Sequence, residues 1–487
     1  MAAGLLVCGT SSDAGKSLVI TGLSRAWARQ GLHVAPFKAQ NMSNNSMVCR
    51  DGAEIGRAQY LQAQAARVEP SALHNPVLVK PGTDRQAFLV VDGRPAGTLL
   101  AGEYTTGRAH LRAAAFAAFD RLRADPGVDI VVAEGAGSPA EVNLRDGDFV
   151  NLGLAREFAL PVVVVGDIDR GGLLAALYGT WALLDPADRA LLRAFVVNKF
   201  RGDHAVLQPG LDEVSELTGV PFVGTLPWLP GVWLDSEDAI STGRWQARAD
   251  AAAGRLSVAV VRFPRTSNAT DVDPLAVEPG VDVRVTADLD TCRSAHLLVL
   301  PGSRATVADL AWLRERGLDR VVAERVAAGL PVLGICGGYQ MLCAEIDDEV
   351  ESGAGVVAGL AALPLRVEFG AEKVLGRPSA VWRGQAVSGY EIHHGVVAAD
   401  GAFPGGTCRG TVWGTMWHGI LESDGFRRTF LSEVAAAAGS RWVPDQSVTG
   451  FADRREAMVE LLADAVEEHL DLPALLDLAR TAGQRPA

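Results

Sequence analysis

Two short stretches of this chain set glycines beside residues that can do chemistry. The first is Gly9-Thr10-Ser11-Ser12-Asp13-Ala14-Gly15-Lys16-Ser17. Glycines let backbone N–H groups turn inward onto phosphate oxygens, and a helix opening at the lysine adds its dipole. Lys16 would then reach the β- and γ-phosphates of ATP and the Ser17 hydroxyl would sit on Mg²⁺, the chemistry of a P-loop. Five residues separate the two glycines, where the common pattern has four. The second stretch is Gly334-Ile335-Cys336-Gly337-Gly338-Tyr339-Gln340. Gly-x-Cys-x-Gly has the logic of a nucleophile elbow, a strained strand-to-helix turn that projects one side chain from a sheet edge. A cysteine at a helix N-terminus has its thiolate favoured by the dipole. The Gly337 N–H is placed to help bind an oxyanion, and Gly302 in Leu300-Pro301-Gly302-Ser303 supplies the second donor.

Each site needs partners. A cysteine nucleophile needs a base, and the best placed of nine histidines is His418, in Gly414-Thr415-Met416-Trp417-His418-Gly419. Cys8, Cys49, Cys292, Cys343 and Cys408 have no C-x-x-C spacing and read as buried or inert thiols. For the phosphate site, Ile130-Val131-Val132-Ala133-Glu134-Gly135-Ala136-Gly137 ends an apolar run in a carboxylate able to hold the same Mg²⁺ as Ser17. Asn198, ending Val196-Val197-Asn198, can read the base edge of the nucleotide or be an ordinary loop residue. The loop Val165–Gly172 is either catalytic or a simple helix start.

These residues fall at the ends of apolar runs, which sets the architecture. Leu5–Cys8, Val34–Phe37, Ile130–Ala133, Val162–Val165 and Ala194–Val197 read as buried strands alternating with helical patterns. The pattern fails near Pro227–Trp245, and Gln246–Gly254 reads as a polar connector. A second series follows: Ser257–Arg262, Val281–Val285, Leu297–Leu300 and Val332–Ile335. The expected fold is α/β, with two domains, 1–250 and 251–487, each a mostly parallel sheet flanked by helices. Two terminal helices, about Ala452–Leu470 and Pro473–Thr481, are placed with the second domain.

Composition narrows the function classes. A net charge of −13 argues against a nucleic-acid partner, because phosphate backbones need clustered Lys and Arg. The longest apolar stretch, around Leu160–Val165, is cut off by Asp167 and Asp169, so no membrane span is expected. With no leader-like segment at Met1–Thr10, the expected location is the cytoplasm. No permanently bound cofactor is expected, and nothing specifies an oligomeric state.

Gly-Thr-x-x-x-x-Gly-Lys-Ser followed by Glu-Gly-Ala-Gly resembles the dethiobiotin synthetase group of P-loop enzymes, which use ATP to activate a substrate oxygen. Pro36-Phe37-Lys38-Ala39-Gln40-Asn41-Met42-Ser43-Asn44-Asn45-Ser46 and Glu54-Ile55-Gly56-Arg57-Ala58-Gln59 resemble the cobyric acid synthase family. Residues 257–435 resemble class I glutamine amidotransferases. In many of those a carboxylate stands two positions after the histidine; here that position is Ile420, with Glu422 out of register. The departure matches the cobyric and cobyrinic acid amide synthases, which the segment Gly389-Tyr390-Glu391-Ile392-His393-His394-Gly395 also resembles. The resemblance implies glutamine and a corrinoid polycarboxylate as substrates. The b, d, e and g carboxylates of adenosylcobyrinic acid a,c-diamide would be amidated, with Lys38, Gln40 and Asn41 contacting the corrin. By similarity Glu54 is a second magnesium-side carboxylate, with Asp51 close by as the alternative. Whether His393 or His394 orients His418 or shapes a domain contact stays open. The competing readings are the a,c-diamide synthase of the same pathway and, from another class, a partitioning P-loop ATPase.

Overall fold

The computed structural model describes residues 1–82, 86–100, 108–233 and 254–484. Most of the expected 246–254 connector lies outside the described residues. The first half is built on a six-stranded sheet in the order Phe222–Pro227, Leu192–Phe200, Val162–Asp167, Ala3–Gly9, Ile130–Glu134, Val34–Phe37, all parallel. Its strands are β-branched runs buried on both faces, as a parallel sheet covered by crossover helices requires. The second half repeats the scheme. Its sheet runs Val281–Thr286, Leu256–Val261, Leu297–Leu300, Val332–Ile335, Val412–Thr415, Gly406–Arg409, with only the last pair antiparallel. The α/β expectation with two parallel-sheet units holds.

Two small four-stranded sheets have no counterpart in the sequence reading. One joins Gln40–Met42, Val77–Pro81, Gln86–Val91 and Arg94–Leu100; the other joins Cys343–Asp348, Gly355–Ala358, Leu363–Gly376 and Glu391–Val397. Strands such as Arg94–Leu100 and Leu363–Gly376 are mostly exposed or half-buried, a weaker signal than the apolar runs of the main sheets. Among the described residues no helix is long and apolar enough to cross a membrane.

The terminal helices form where expected, Phe451–His469 and Leu472–Arg480, but against the first domain rather than the second. Ala463, Val466, Leu470, Leu472 and Leu475 share a core with Val19, Ile20, Leu23 and Trp27 of the helix Lys16–Arg29 that follows the P-loop. Arg25, 1% exposed, pairs with Glu456 and Glu460, and Arg29 reaches Asp464 at 2.7 Å. An apolar helix face states that it must be buried, not against which sheet, so chain order misplaced it. The crossing is closest at Gly22, where a Cβ would lie 2.6 Å from Val466 Cγ2 and 2.8 Å from the Leu462 carbonyl oxygen. Gly22→Val should therefore destabilise the protein by about 1–3 kcal/mol through overpacking, read as a lower thermal unfolding midpoint. An unchanged midpoint would show that the terminal helices do not close this core.

Candidate active site

The thiol elbow forms where Val332–Ile335 gives way to the helix Gly337–Leu342. Cys336 sits between them at φ 47°, ψ −108°, a strained backbone for a residue with a Cβ. Its N–H donates to the Thr415 carbonyl at 2.7 Å and its carbonyl accepts from Gln340 N–H at 2.9 Å. The turn is this tight because the flanking glycines let strands approach. A Cβ at Gly338 would lie 2.0 Å from the Leu300 carbonyl oxygen, and one at Gly337 2.8 Å from the Ser303 nitrogen. The two expected oxyanion segments therefore abut. A Cβ at Gly302 would meet His418 Cε1 at 2.9 Å, which places that turn against the imidazole.

His418 is 1% exposed, and the structure supplies the acid that its own sequence neighbourhood lacks. Asp271, 147 residues away, accepts from His418 Nδ1 at 2.7 Å through Oδ2 and from Gly419 N–H at 2.7 Å through Oδ1. A carboxylate only accepts, so Nδ1 carries the proton. Burial alone would pull the imidazolium down. The Asp271 carboxylate and, after it, the neighbouring Cys336 overcome it and raise the His418 pKa to about 10. Tyr390 stacks on the same ring at a centroid distance of 5.4 Å and exchanges backbone hydrogen bonds with His418. Ile420 is buried in the core, and Glu422 is held between Arg57 and Arg455, so neither serves the histidine. Nothing in Asn268-Ala269-Thr270-Asp271 marks it as catalytic, because the contact is made by tertiary packing rather than by spacing.

The cleft beside Cys336 is lined by Lys80, Ser303, Arg304, Glu351, Lys373 and His393, among others. Arg304 and Glu351 pair at 2.7 Å. His393 lines this cleft rather than orienting His418, and among the described residues its ring nitrogens make no hydrogen bond. His394 lies against the Gly370 carbonyl at 3.1 Å.

At the other site, Gly9–Ser17 connects the central strand of the first sheet to the helix Lys16–Arg29, with Gly15 at φ 105°. Thr10 N–H is tied to the Val165 carbonyl, Ala14 is fully buried, and Ser12 and Asp13 face solvent beside Ser11. Lys16 Nζ donates across the loop to the Ser11 carbonyl at 3.0 Å and to Gly137 at 3.3 Å. Glu134, fully buried, accepts from Ser17 Oγ at 2.9 Å, Lys38 Nζ at 2.9 Å and Gln62 Nε2 at 2.5 Å. Burial pushes its carboxyl up, but the Lys38 ammonium and these hydrogen bonds hold it below the usual range. The loop after Val165 contributes too: Asp167 pairs with Lys199 at 2.6 Å, and Lys199 donates to the Asp13 carbonyl at 3.0 Å.

Several expected side-chain roles change in the structure. Glu54 does not join Glu134. Its oxygens are taken by Ser46, Lys80 and, from the second half, Lys373, and those ammonium groups overcome burial to pull its carboxyl far down. A carboxylate so neutralised is an interdomain ion pair rather than a metal ligand. Asn198 is 1% exposed with its amide on the Ala14 carbonyl at 3.0 Å, so it braces the P-loop from beneath instead of facing a base. Lys38 is the partner of Glu134. Gln40 accepts from Arg108 at 2.9 Å. The Asn41 and Gln59 side-chain amides, both buried, have no hydrogen-bond partner among the described residues. The described residues hold no cluster of three or more His, Cys, Asp or Glu able to bind a metal.

Comparison with known proteins finds both domain types in the chain. Residues 5–240 match the CobQ/CobB/MinD/ParA nucleotide binding domain, and residues 257–426 match the CobB/CobQ-like glutamine amidotransferase domain. A protein named cobyric acid synthase from Cutibacterium acnes is 60% identical over 484 residues, 98% of this chain and 100% of the relative. Proteins of the same name from Mycolicibacterium vanbaalenii and Streptomyces avermitilis are each 54% identical, over 98% of this chain and 97% and 96% of their own length. With full-length similarity at this level and both domain types in place, the chain belongs to the cobyric acid synthase family.

Proposed function

We propose that this chain makes amides from the b, d, e and g carboxylates of adenosylcobyrinic acid a,c-diamide, using ATP to activate each carboxylate and glutamine as the nitrogen source. The observation that carries this reading is the conjunction, in one chain, of Cys336 backed by His418 and Asp271 with a P-loop whose Ser17 meets Glu134. The relatives' name makes cobyric acid the product.

In the second half the Cys336 thiolate attacks the glutamine side-chain carbonyl, and Gly337 and Gly302 N–H groups offset charge on the oxygen. The C–N bond breaks as His418 gives its proton to departing ammonia, leaving a thioester. Water then attacks, its proton returns to His418, and glutamate leaves. Asp271 keeps the Nδ1 proton in place throughout, so the ring presents its other nitrogen to the reaction. The Arg304–Glu351 pair offers opposite charges to the two ends of the amino-acid head of glutamine.

In the first half the γ-phosphoryl group passes from ATP to a carboxylate oxygen, giving an acyl phosphate; ammonia attacks its carbon and phosphate leaves. Lys16 would meet the β- and γ-phosphates of the nucleotide. The Ser17 hydroxyl and Glu134 carboxylate, hard oxygen donors 2.9 Å apart, fit Mg²⁺, which usually keeps waters and takes few protein ligands. Bound there, Mg²⁺ would supply positive charge to the phosphates. The unpartnered amides of Asn41 and Gln59 suit the carboxylate and amide arms of the acceptor.

Incubation of adenosylcobyrinic acid a,c-diamide with Mg-ATP and amide-¹⁵N glutamine should give four successive ¹⁵N-labelled amidations by mass spectrometry. Absence of corrin products alongside ATP-dependent glutamine hydrolysis would discard this acceptor. Cys336→Ala should lower glutamine-dependent turnover at least about 10³-fold while ammonia-dependent turnover stays within about twofold; equal loss of both would sink the division of labour. Asp271→Asn tests the third residue. Removing the carboxylate removes the main charge favouring the protonated imidazole, so the His418 pKa falls from about 10. Glutamine-dependent kcat should drop about 10²-fold, and the basic limb of its pH profile should move to lower pH. The same sign governs stability: the contribution of this pair is complete below the unfolded histidine pKa of about 6.5 and is lost as pH rises toward 10.

A further inference from the structure

Asp271 stands on a single 3₁₀ turn, Ala269–Val272, entered through Asn268 in the left-handed region at φ 48°, ψ 47°. A helical turn leaves its first N–H groups without internal partners. Here the Asp271 N–H returns to the Asn268 carbonyl at 3.0 Å, while the Ala269 N–H donates at 3.0 Å to Oδ1 of Asn45, a residue of the other half. The cap of the turn that carries the triad acid therefore comes from the P-loop domain. Two more hydrogen bonds complete the contact. Asn268 Oδ1 accepts from Ser46 N–H at 2.9 Å, and Asn268 N–H donates to the Asn44 carbonyl at 3.3 Å. Asn45, Ser46, Asn268 and Asp271 are all at most 5% exposed. Water therefore cannot take over a lost bond without the packing opening.

The same turn reaches the rest of the thiol site. Ser267, next to Asn268, donates its N–H to the Gly302 carbonyl at 2.9 Å, and Ser267 and Asn268 line the Cys336 cleft. A shift of the 267–271 segment would move the acid behind His418 and the backbone beside the oxyanion donors together. Asn44-Asn45-Ser46 is itself anchored. Asn45 N–H donates to Ser43 Oγ at 3.0 Å, the Asn45 carbonyl accepts from Arg57 N–H at 3.0 Å, and Ser46 Oγ donates to Glu54 at 2.8 Å. This corner is fixed from the first half.

Building on the proposed glutaminase chemistry, we propose that Asn45 and Asn268 are positioning residues for that reaction. They hold the Asp271 turn across the domain boundary, so the thiol site is completed by a side chain of the ATP domain.

Asn45→Ala removes the cap acceptor, whereas Asn45→Asp keeps an oxygen at the same place and caps a helical turn as well as asparagine does. Misplacing a catalytic group by a fraction of an ångström to an ångström costs up to about 10²-fold. Asn45→Ala should accordingly lower glutamine-dependent kcat about 10- to 100-fold, with the glutamine KM and ammonia-dependent turnover within about twofold. The basic limb of the glutamine pH profile should move to lower pH, and Asn45→Asp should recover most of the loss. Asn268→Gly, which tolerates the left-handed backbone but lacks the side chain, should behave like Asn45→Ala. A ¹⁵N-histidine NMR titration, with His418 assigned from His418→Gln, adds a readout that needs no turnover: the His418 pKa should be lower in Asn45→Ala than in the parent. An unchanged His418 titration and pH profile in Asn45→Ala would overturn the proposal, as would equal losses with glutamine and ammonia. A lowered His418 pKa in a protein whose parent does not hydrolyse glutamine would uphold the positioning role and overturn the reaction assigned to the site.

Discussion

The buried pair of Asp271 and His418 is the contact around which the second half is arranged. A carboxylate at 3% exposure is costly to bury unless every oxygen is engaged, and here Oδ2 takes the imidazole Nδ1–H while Oδ1 takes the Gly419 N–H. That demand fixes the turn at Asn268, the approach of Gly302 to the ring and the stacking of Tyr390 on it. It also explains the strained backbone of Cys336. A thiol needed at one point beside a rigid imidazole is delivered by a turn that glycines on either side make narrow enough. The strain is local and is held by strand pairing and by the Thr415 carbonyl.

The first half solves a related problem with the opposite balance. Glu134 is fully buried at a strand end and has a hydroxyl, an ammonium and an amide around it. Its charge is balanced by Lys38, so burying the carboxylate requires no bound cation. Lys38 and Asn45 belong to one short segment. Its first end touches the carboxylate of the phosphate site, and its last end caps the turn of the thiol site. The amide-rich run that stands out in the sequence thus has two structural duties besides any contact with substrate.

What could be read from the sequence was whatever chemistry is encoded by local spacing. The P-loop, the Gly-x-Cys-x-Gly elbow and nine of the twelve main-sheet strands are contiguous patterns that form at the residues expected, whereas Phe222–Pro227, Gly406–Arg409 and Val412–Thr415 had no such signal. Asp271 was illegible because a partner 147 residues from its histidine leaves no spacing to detect. Glu54 misled for a related reason. A lone buried carboxylate looks the same in sequence whether a metal or two lysines neutralise it, and Lys80 and Lys373 come from separate strands. Asn198 at a strand end had the right address but points its amide at the back of the P-loop. The family resemblance reached further than spacing because a whole-length pattern carries tertiary information that no short motif holds.

The terminal helices show why the two sites sit in one chain. The core of the first half draws on residues 3–227 and again on 451–480, so the glutaminase sheet is anchored to it at both ends. A domain joined by one linker rotates freely unless its interface is large. Here rotation is opposed by the return of the chain through Phe451–His469, by Glu422 between Arg57 and Arg455, and by Lys373 on Glu54. Each of those last contacts is a partly buried charge pair, weak as a source of net stability but demanding in geometry, because separating the partners leaves a charge less well compensated. Such pairs select one relative placement of the halves. That placement is the one in which Asn45 meets the turn of Asp271, so the constraint that joins the domains is also the constraint that assembles the triad.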